Sequence, residues 1–210
     1  MRLLPPTVFI VDDDDAVRTS LRFLLTSVGI SSRALPSAQA FLAEYKPAQP
    51  GCLVLDVRMP GMSGLELQQK LNMTGAIIPV IFVTGHGDIP MAVETLHHGA
   101  FDFLQKPYRD QELIDRVQRA LAKDAENRAE LERRSREGER FESLTPRERQ
   151  VLTGIMEGKL NKVIAAELGV SQRTVEIHRA HVMEKTGASS VAQLVRMWLD
   201  MEGRGKETNT

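Results

Sequence analysis

Charged and hydroxyl side chains recur at the points where the short apolar runs of this sequence end. The run at 7–11 is followed by four aspartates, Asp12 to Asp15, and a later apolar run is followed by Asp56. Two further runs close on Thr84 and Lys106. A carboxylate can attack a phosphoryl group and hold it as an aspartyl phosphate. A lysine and a hydroxyl offer contacts to the phosphoryl oxygens, so these residue types predict phosphoryl transfer to a carboxylate.

The four consecutive aspartates need compensation, because like charges at this spacing disfavour ionisation. A helix N-terminus accommodates one or two of them, and we expect Asp14 and Asp15 to cap and start a helix. Asp12 and Asp13 are left for a hard cation. Mg²⁺ prefers oxygen ligands and keeps several waters, so one or two carboxylates suffice. We expect Asp13 and Asp56 to bind it, with Asp12 acting through water and a backbone carbonyl just after Asp56.

Strand and helix patterns alternate through the first 122 residues. Apolar residues at helical spacing separate five short apolar runs, and one such helical stretch covers 89–98. This alternation predicts a parallel sheet covered by helices on both faces. Polar residues that follow the strands then gather at one edge, where open sheets bind ligands. The predicted strands cover 7–11, 30–35, 52–56, 79–85 and 101–107.

The last third of the chain is helical in pattern throughout. "TPRE" at 145–148 predicts a capping box with a proline in the first helical turn. Two short helices joined through Gly169 have the spacing of a helix-turn-helix. Ten basic and eight acidic residues after position 143 permit nucleic-acid binding without proving it. The predicted helices cover 146–157, 161–168, 172–186 and 190–201.

A charged segment separates the two parts. It contains acid-first pairs at i,i+4 spacing, such as Asp124 with Arg128, each worth about 0.2–0.5 kcal/mol in a solvated helix. It lacks an apolar stripe, so we expect a helical linker that ends near Gly138 and buries little. The predicted domains are 1–121, the linker 122–142, and 143–210.

The motifs "FIVDDDDAVR", "LVLDVRMPGMSGLEL", "VTGHGD" and "FLQKPY" together resemble the receiver domain of two-component response regulators. The resemblance implies a flavodoxin-like, doubly wound (βα)5 fold and a magnesium-dependent phosphoacceptor site. It implies that Lys106–Pro107 is a cis peptide. The roles that it implies are phosphoacceptor for Asp56, acidic pair for Asp12 and Asp13, Mg²⁺ carbonyl for Arg58, switch pair for Thr84 and Phe103, and phosphoryl contact for Lys106.

"LTPRERQVL" and "NKVIAAELGVSQRTVEIHRAHVMEKTGASS" resemble the LuxR/NarL type of helix-turn-helix, a small all-α domain. The whole arrangement is most similar to the FixJ branch of response regulators. The resemblance implies a transcription factor that binds a double-stranded DNA operator and is controlled by a sensor histidine kinase.

The predicted recognition helix at 172–186 offers contacts of several kinds. Lys162 and Thr174 suit phosphate oxygens, and Arg173, Arg179 and Lys185 add positive charge. Glu176, Ile177 and Ala180 are expected to face the bases, because a carboxylate accepts from cytosine and an apolar side chain contacts thymine methyl groups. His178 and His181 are three residues apart. Phosphate contact or local packing is the favoured interpretation for them, and a metal-binding pair is the less favoured one.

The main hypothesis is therefore a cytoplasmic transcription factor switched by phosphorylation of Asp56. Phosphorylation is expected to drive a homodimer through the 89–98 helix and the fifth strand, and RNA polymerase is a further expected partner. No apolar run approaches the ~18–20 residues of a membrane helix, and the N-terminal stretch is too short for a signal peptide. We expect no membrane association.

Three alternatives stay open at this point. A haloacid-dehalogenase-like phosphatase also uses an aspartate nucleophile at a strand end, with a second aspartate two residues later. The absence of a second acidic pair after a late strand and the presence of a helix-turn-helix pattern argue against this enzyme. A constitutive DNA-binding protein with an inactive receiver conflicts with the complete acidic set. A pure protein-interaction module has little support beside the recognition helix.

Overall fold

A computed structural model describes residues 4–85 and 99–205 of the chain. The chain divides into two compact units, which meet in the sequence between Ala129 and Glu130. The predicted helix at 89–98, through which a homodimer is expected, lies outside the described residues.

The first unit contains a five-stranded sheet in which all strand pairs are parallel. The strand order is β2-β1-β3-β4-β5, which confirms the predicted doubly wound flavodoxin-like fold. Because the strands are parallel, their carboxyl ends meet at one edge of the sheet. The strands are β1 (Thr7–Val11), β2 (Ser32–Leu35), β3 (Gly51–Leu55), β4 (Val80–Thr84) and β5 (Asp102–Gln105).

Successive strand residues point to opposite faces of the sheet, and each face has its own apolar cluster. Phe9 and Leu53 pack in one cluster with Phe41 and Leu67. Val8 and Cys52 lie in the other, and burial raises the pKa of the Cys52 thiol. Helices therefore cover both faces, as predicted: α1 (Asp15–Ser27), α2 (Ala38–Glu44), α3 (Gly64–Met73) and α4 (Asp110–Glu142).

The 33 residues of α4 form one helix, which begins at Asp110 and continues without interruption through the predicted linker. The helix also passes through Gly138, where we expected it to end. A glycine in a helix interior costs about 1 kcal/mol relative to alanine, and one such cost does not break a helix whose last turn is anchored. Phe141 provides that anchor, because it is buried in the apolar cluster of the second unit.

The expectation that the linker buries little is wrong at Asp124, whose exposed fraction is 1%. Its Oδ2 accepts hydrogen bonds from the Gly51 backbone N–H and from Arg128 Nε, both at 2.8 Å. Arg128 also donates to the carbonyls of Pro47 and Gln49. The i,i+4 spacing correctly identified the ion pair, but it carries no information on the chain segment against which the pair packs.

The second unit is helical around one core. Phe141 and Trp198 meet edge-to-face, with ring centroids 5.5 Å apart, so the last turn of the predicted linker belongs to this core. Gly169, with φ 67°, ends one helix and leads into the next, as the helix-turn-helix pattern predicts. The helices are α5 (Pro146–Met156), α6 (Asn161–Leu168), α7 (Gln172–Thr186) and α8 (Val191–Gly205). In the described ranges, no helix is both long enough and apolar enough to cross a membrane.

Candidate functional site

Asp56 lies directly after β3 and is almost buried. Its backbone N–H donates to the Val11 carbonyl at 2.8 Å, which joins the ends of β1 and β3. Its side-chain Oδ2 accepts a hydrogen bond from the Arg58 backbone N–H at 2.7 Å. The site also depends on Gly64, since a Cβ there would lie 2.2 Å from the Asp56 carbonyl oxygen. We did not identify Gly64 from the sequence, although it closes the glycine-rich stretch "PGMSG" after Asp56.

Lys106 follows β5 and brings a cation to two buried carboxylates. Its Nζ lies 3.0 Å from Asp12 Oδ2 and 3.6 Å from Asp56 Oδ1. The other oxygen of Asp12 accepts from the Asp14 backbone N–H at 2.9 Å. Asp14 in turn caps α1 by accepting from the backbone of Ala16 and Val17, as predicted. The ammonium group of Lys106 therefore lies close to two carboxylates, which follow different strands.

The charge at this site is incompletely compensated. Burial raises the pKa of Asp56 above its ordinary value, and the charges of Asp12 and Asp13 raise it further. The hydrogen bond from Arg58 and the charge of Lys106 oppose this shift without cancelling it. A site of oxygen ligands with excess negative charge fits a hard cation such as Mg²⁺. The residues present are therefore compatible with a magnesium site.

The two predicted switch residues lie on the adjacent strands β4 and β5. Thr84 ends β4 and is buried, and its carbonyl accepts from the Lys106 backbone N–H at 2.9 Å. Phe103 lies opposite Phe82 in the β4–β5 register and packs partly buried against the apolar cluster of Phe9. The Lys106–Pro107 peptide is cis, as expected. The structure therefore gathers Asp12, Asp56, Thr84 and Lys106 at one edge, with exposed Asp13 next in sequence to Asp12.

Arg18 is a further contributor that sequence reasoning missed. It donates to the Asp12 carbonyl at 2.7 Å and to Asp15 Oδ1 at 2.8 Å. These contacts hold the turn between β1 and α1, which carries the acidic residues. The i,i+3 spacing of Asp15 and Arg18 was the available signal.

The second candidate surface is formed by α6 and α7. Ile177 is 49% exposed although it is a large apolar residue, which fits contact with a base methyl group. Val175 and Val182, on the same helix, are fully buried. The exposed face of α7 is therefore free for binding while its other face holds the core. Of the predicted DNA contacts, Lys162, Arg173, Glu176, Ile177, Ala180 and Lys185 are exposed, and Thr174, His178 and Arg179 are half-buried.

The cations near this surface divide into paired and unpaired ones. Lys185 donates to Glu148 Oε2 at 2.7 Å, so its charge is neutralised within the unit. Within the two described stretches, Lys162, Arg173 and Arg179 form no ion pair with a carboxylate. Lys162 and Arg179 line one open depression of about 430 Å³. These three side chains remain the strongest candidates for phosphate contacts, and Lys185 becomes a weaker one.

The two histidines of α7 do not behave alike. His178 places its Nδ1 in the interior, where that atom has no hydrogen-bond partner among the described residues. His181 is exposed, and its Nδ1 lies 3.6 Å from Glu148 Oε1. The inward position of His178 Nδ1 removes that nitrogen from the surface on which we predicted a DNA contact.

Comparisons with known proteins agree with both halves. The family model for the response regulator receiver domain matches residues 8–118, and the model for bacterial regulatory proteins of the luxR family matches 142–198. The chain is 51% identical to transcriptional regulatory protein FixJ of Azorhizobium caulinodans over 192 residues, which cover 91% of each chain.

Two solved structures are similar over nearly the whole chain. The response regulator StyR has a TM-score of 0.82 and 46% identity, covering 93% of this chain and 99% of its own. Full-length FixJ from B. japonicum has a TM-score of 0.56 and 39% identity, covering 96% and 98%.

These matches define what the chain does in general terms. A receiver domain implies a histidine kinase as partner, and a LuxR-type domain implies DNA binding. Receiver domains generally bind Mg²⁺ at their acidic site, and transcriptional response regulators are not turnover enzymes, which removes the phosphatase alternative. The chain belongs to the two-component response regulators of the FixJ type, in which a receiver domain controls a LuxR-type DNA-binding domain.

Proposed function

We propose that Asp56 is the residue that accepts the phosphoryl group and that this event switches DNA binding by α7. The observation that carries the proposal is the position of the Lys106 ammonium, within 3.6 Å of both Asp12 and Asp56. A buried carboxylate that shares one lysine with a neighbouring carboxylate has charge left for a further cation. Asp12, Asp13, Asp56 and the Arg58 carbonyl are the groups available to hold Mg²⁺.

In the transfer step, a carboxylate oxygen of Asp56 attacks the phosphorus of the kinase phosphohistidine. The new P–O bond forms as the P–N bond breaks, and the imidazole leaves with the electron pair. Lys106 balances charge on the transferred group, and the Thr84 hydroxyl contacts another phosphoryl oxygen. Bound Mg²⁺ would supply charge neutralisation between the carboxylates and the phosphoryl oxygens.

The phosphoryl group on Asp56 carries about −1.5 to −2 charges and strong acceptor oxygens, and it replaces a single carboxylate charge at the end of β3. Thr84 moves toward the new group, and Phe103 turns into the space that Thr84 leaves. A local change of this kind biases a surface with two arrangements. The proposed result is a homodimer formed through residues 89–98 and β5.

In the DNA-bound state, α7 lies in the major groove and two copies bind two half-sites. Lys162, Arg173, Thr174 and Arg179 contact phosphates, and the exposed residues Glu176, Ile177 and Ala180 face base edges. The protein acts in the cytoplasm and recruits or contacts RNA polymerase there.

The phosphoacceptor assignment is tested with acetyl phosphate, Mg²⁺ and mass spectrometry of the full-length protein. We expect one phosphoryl group, on Asp56, and none in Asp56→Asn. Asp115→Asn, an exposed carboxylate on α4, is the matched control and should be labelled like the parent. Phosphate on Asp13 or Asp14, or full labelling in excess chelator, would contradict the assignment.

A further inference from the structure

Three side chains from two helices meet in the second unit. Glu148 lies in the first turn of α5, and His178 and His181 lie on α7. One ligand atom from each residue falls within 4.8 Å of the other two. Among the residues that the structure describes, this is the cluster of three histidine, cysteine or acidic side chains that reaches such proximity.

The two oxygens of Glu148 have different surroundings. Oε2 accepts from Lys185 Nζ at 2.7 Å and from the Thr145 backbone N–H at 2.8 Å. Oε1 lies 3.6 Å from His181 Nδ1, which is too far for a hydrogen bond. The carboxylate is therefore oriented through one oxygen while the other points toward the imidazole.

His178 provides the second observation. Its Nδ1 is buried and has no hydrogen-bond partner in the described parts of the chain. A buried polar atom without a partner destabilises the fold, and metal ligation of the imidazole offers a compensating interaction. Two further potential ligands lie beside this ring.

The ligand types select the metal. Two imidazoles and one carboxylate suit Zn²⁺ or Co²⁺, whereas Mg²⁺ prefers oxygen ligands. Hydrogen bonds to the second oxygen of a ligating carboxylate orient it and are a regular feature of such sites. Lys185 and Thr145 already make those bonds. The side chain of His181 is 50% exposed, so solvent can reach the cluster and complete the coordination.

We propose that Glu148, His178 and His181 bind a transition-metal cation such as Zn²⁺ and that the ion joins α7 to α5. The site is separate from the acidic site of the receiver and uses different ligand chemistry. Because the two histidines lie on the proposed recognition helix, the ion fixes that helix against its neighbour. A ligand that binds only the folded state also raises the unfolding temperature.

The test uses Co²⁺ and Zn²⁺ with the full-length protein in excess Mg²⁺, which competes at the receiver site. We expect one tightly bound Co²⁺ per chain with a visible d–d absorption, and a rise in unfolding temperature with Zn²⁺. His178→Gln and His181→Gln should each weaken binding by roughly 100-fold or more, since even outer-shell changes cost about 10–100-fold. His181 is half-exposed, so its variant should unfold in EDTA at the temperature of the parent.

Two controls locate the ion. Asp12→Asn alters the receiver site, and the triple variant His86→Gln/His97→Gln/His98→Gln replaces the other three histidines of the chain. Both should bind Co²⁺ as the parent does. Equal binding by the parent and the His178→Gln/His181→Gln double variant would overturn the proposal, and so would loss of the absorption in either control.

Discussion

Each unit of this protein contains a buried carboxylate that a lysine from a later element contacts, and the two differ in how completely their charge is compensated. In the receiver, Lys106 lies 3.6 Å from Asp56 and closer to Asp12. In the second unit, Lys185 donates to Glu148 at 2.7 Å, and no other carboxylate of the described residues pairs with the same ammonium. The residue types are alike, and the number of carboxylates per lysine differs.

The pKa directions follow from that difference. Burial and the neighbouring aspartates raise the pKa of Asp56. Burial acts in the same direction on Glu148, but hydrogen bonds from Lys185 and Thr145 outweigh it and lower its pKa to about 2. Glu148 is thus compensated at Oε2, and it also completes the predicted capping box of α5, while its Oε1 faces His181. Asp56 is less completely compensated, which fits the proposal that it takes part in binding a cation and a phosphoryl group.

The largest expected effect is a loss of stability, and it distinguishes Glu148 from Asp56. Glu148→Gln should destabilise the second unit by about 1.5–3 kcal/mol, the usual contribution of hydrogen bonds to a charged group. The sign follows because a carboxylate with a lowered folded pKa stabilises the fold at neutral pH. Urea unfolding in EDTA, followed by Trp198 fluorescence, measures it, since Trp198 is the only tryptophan and packs in this core.

The matched control for that experiment is Glu167→Gln. Glu167 also pairs with a lysine, Lys159, but its side chain is half-exposed. An exposed pair of this kind contributes little to stability, because solvent screens it. Equal losses in the two variants would remove the distinction drawn for Glu148.

The second expected effect has the opposite sign. Asp56→Asn should stabilise the first unit by about 1 kcal/mol in EDTA, because it removes a buried charge that Asp12 and Asp13 repel. A raised folded pKa means that the ionised group opposes folding at neutral pH. Hydrogen exchange of peptides from β1 and β3 measures the change within this unit.

Adding Mg²⁺ provides a second test of the stability difference between the parent and Asp56→Asn. Saturating Mg²⁺ should stabilise the parent more than Asp56→Asn, because the ion binds the folded parent more tightly than the folded variant. The stability difference in favour of Asp56→Asn should therefore shrink or reverse. Asp115→Asn should respond to Mg²⁺ like the parent. Destabilisation by Asp56→Asn in EDTA would contradict the interpretation that the site carries excess charge.

The smallest expected effect is on the salt dependence of DNA binding, and it compares Lys162 with Lys185. Lys162→Ala should reduce the slope of log affinity against log salt by about 0.9, the value for one lost phosphate contact on duplex DNA. Lys185→Ala should change that slope less, since Glu148 already neutralises its charge. Fluorescence anisotropy with operator DNA across a salt series measures both. A larger change for Lys185→Ala would indicate that the ion pair opens on DNA.

Much of the architecture was predictable because it follows from local rules. Apolar runs gave the five strands to within about two residues at each end, a usual uncertainty for element boundaries. Capping chemistry located the starts of α1 and α5 at Asp14 and Thr145, as the structure confirms. The convergence of Asp12, Asp56, Thr84 and Lys106 followed from one topological fact, that the strands are parallel.

The errors arose where a residue's environment comes from distant chain segments. Asp124 and Arg128 form the predicted pair, but the pair is buried against residues 47–51. Phe141, assigned to a solvated linker, packs against Trp198. Helical periodicity describes a residue's neighbours on its own helix, and these contacts lie 57 to 81 positions away.

The sequence by itself therefore determined the fold class, the helix-turn-helix and the acidic edge of the receiver, because each depends on short-range patterns or on strand direction. Only the tertiary structure decided which charges are compensated. Lys185 is bonded to Glu148 and Lys162 is not paired within the described chain, although both are surface lysines in the sequence. The same packing brought Glu148 to His178 and His181. The sequence shows the two histidines three residues apart on one helix, whereas Glu148 comes from a helix about 30 residues earlier, which no local pattern reaches.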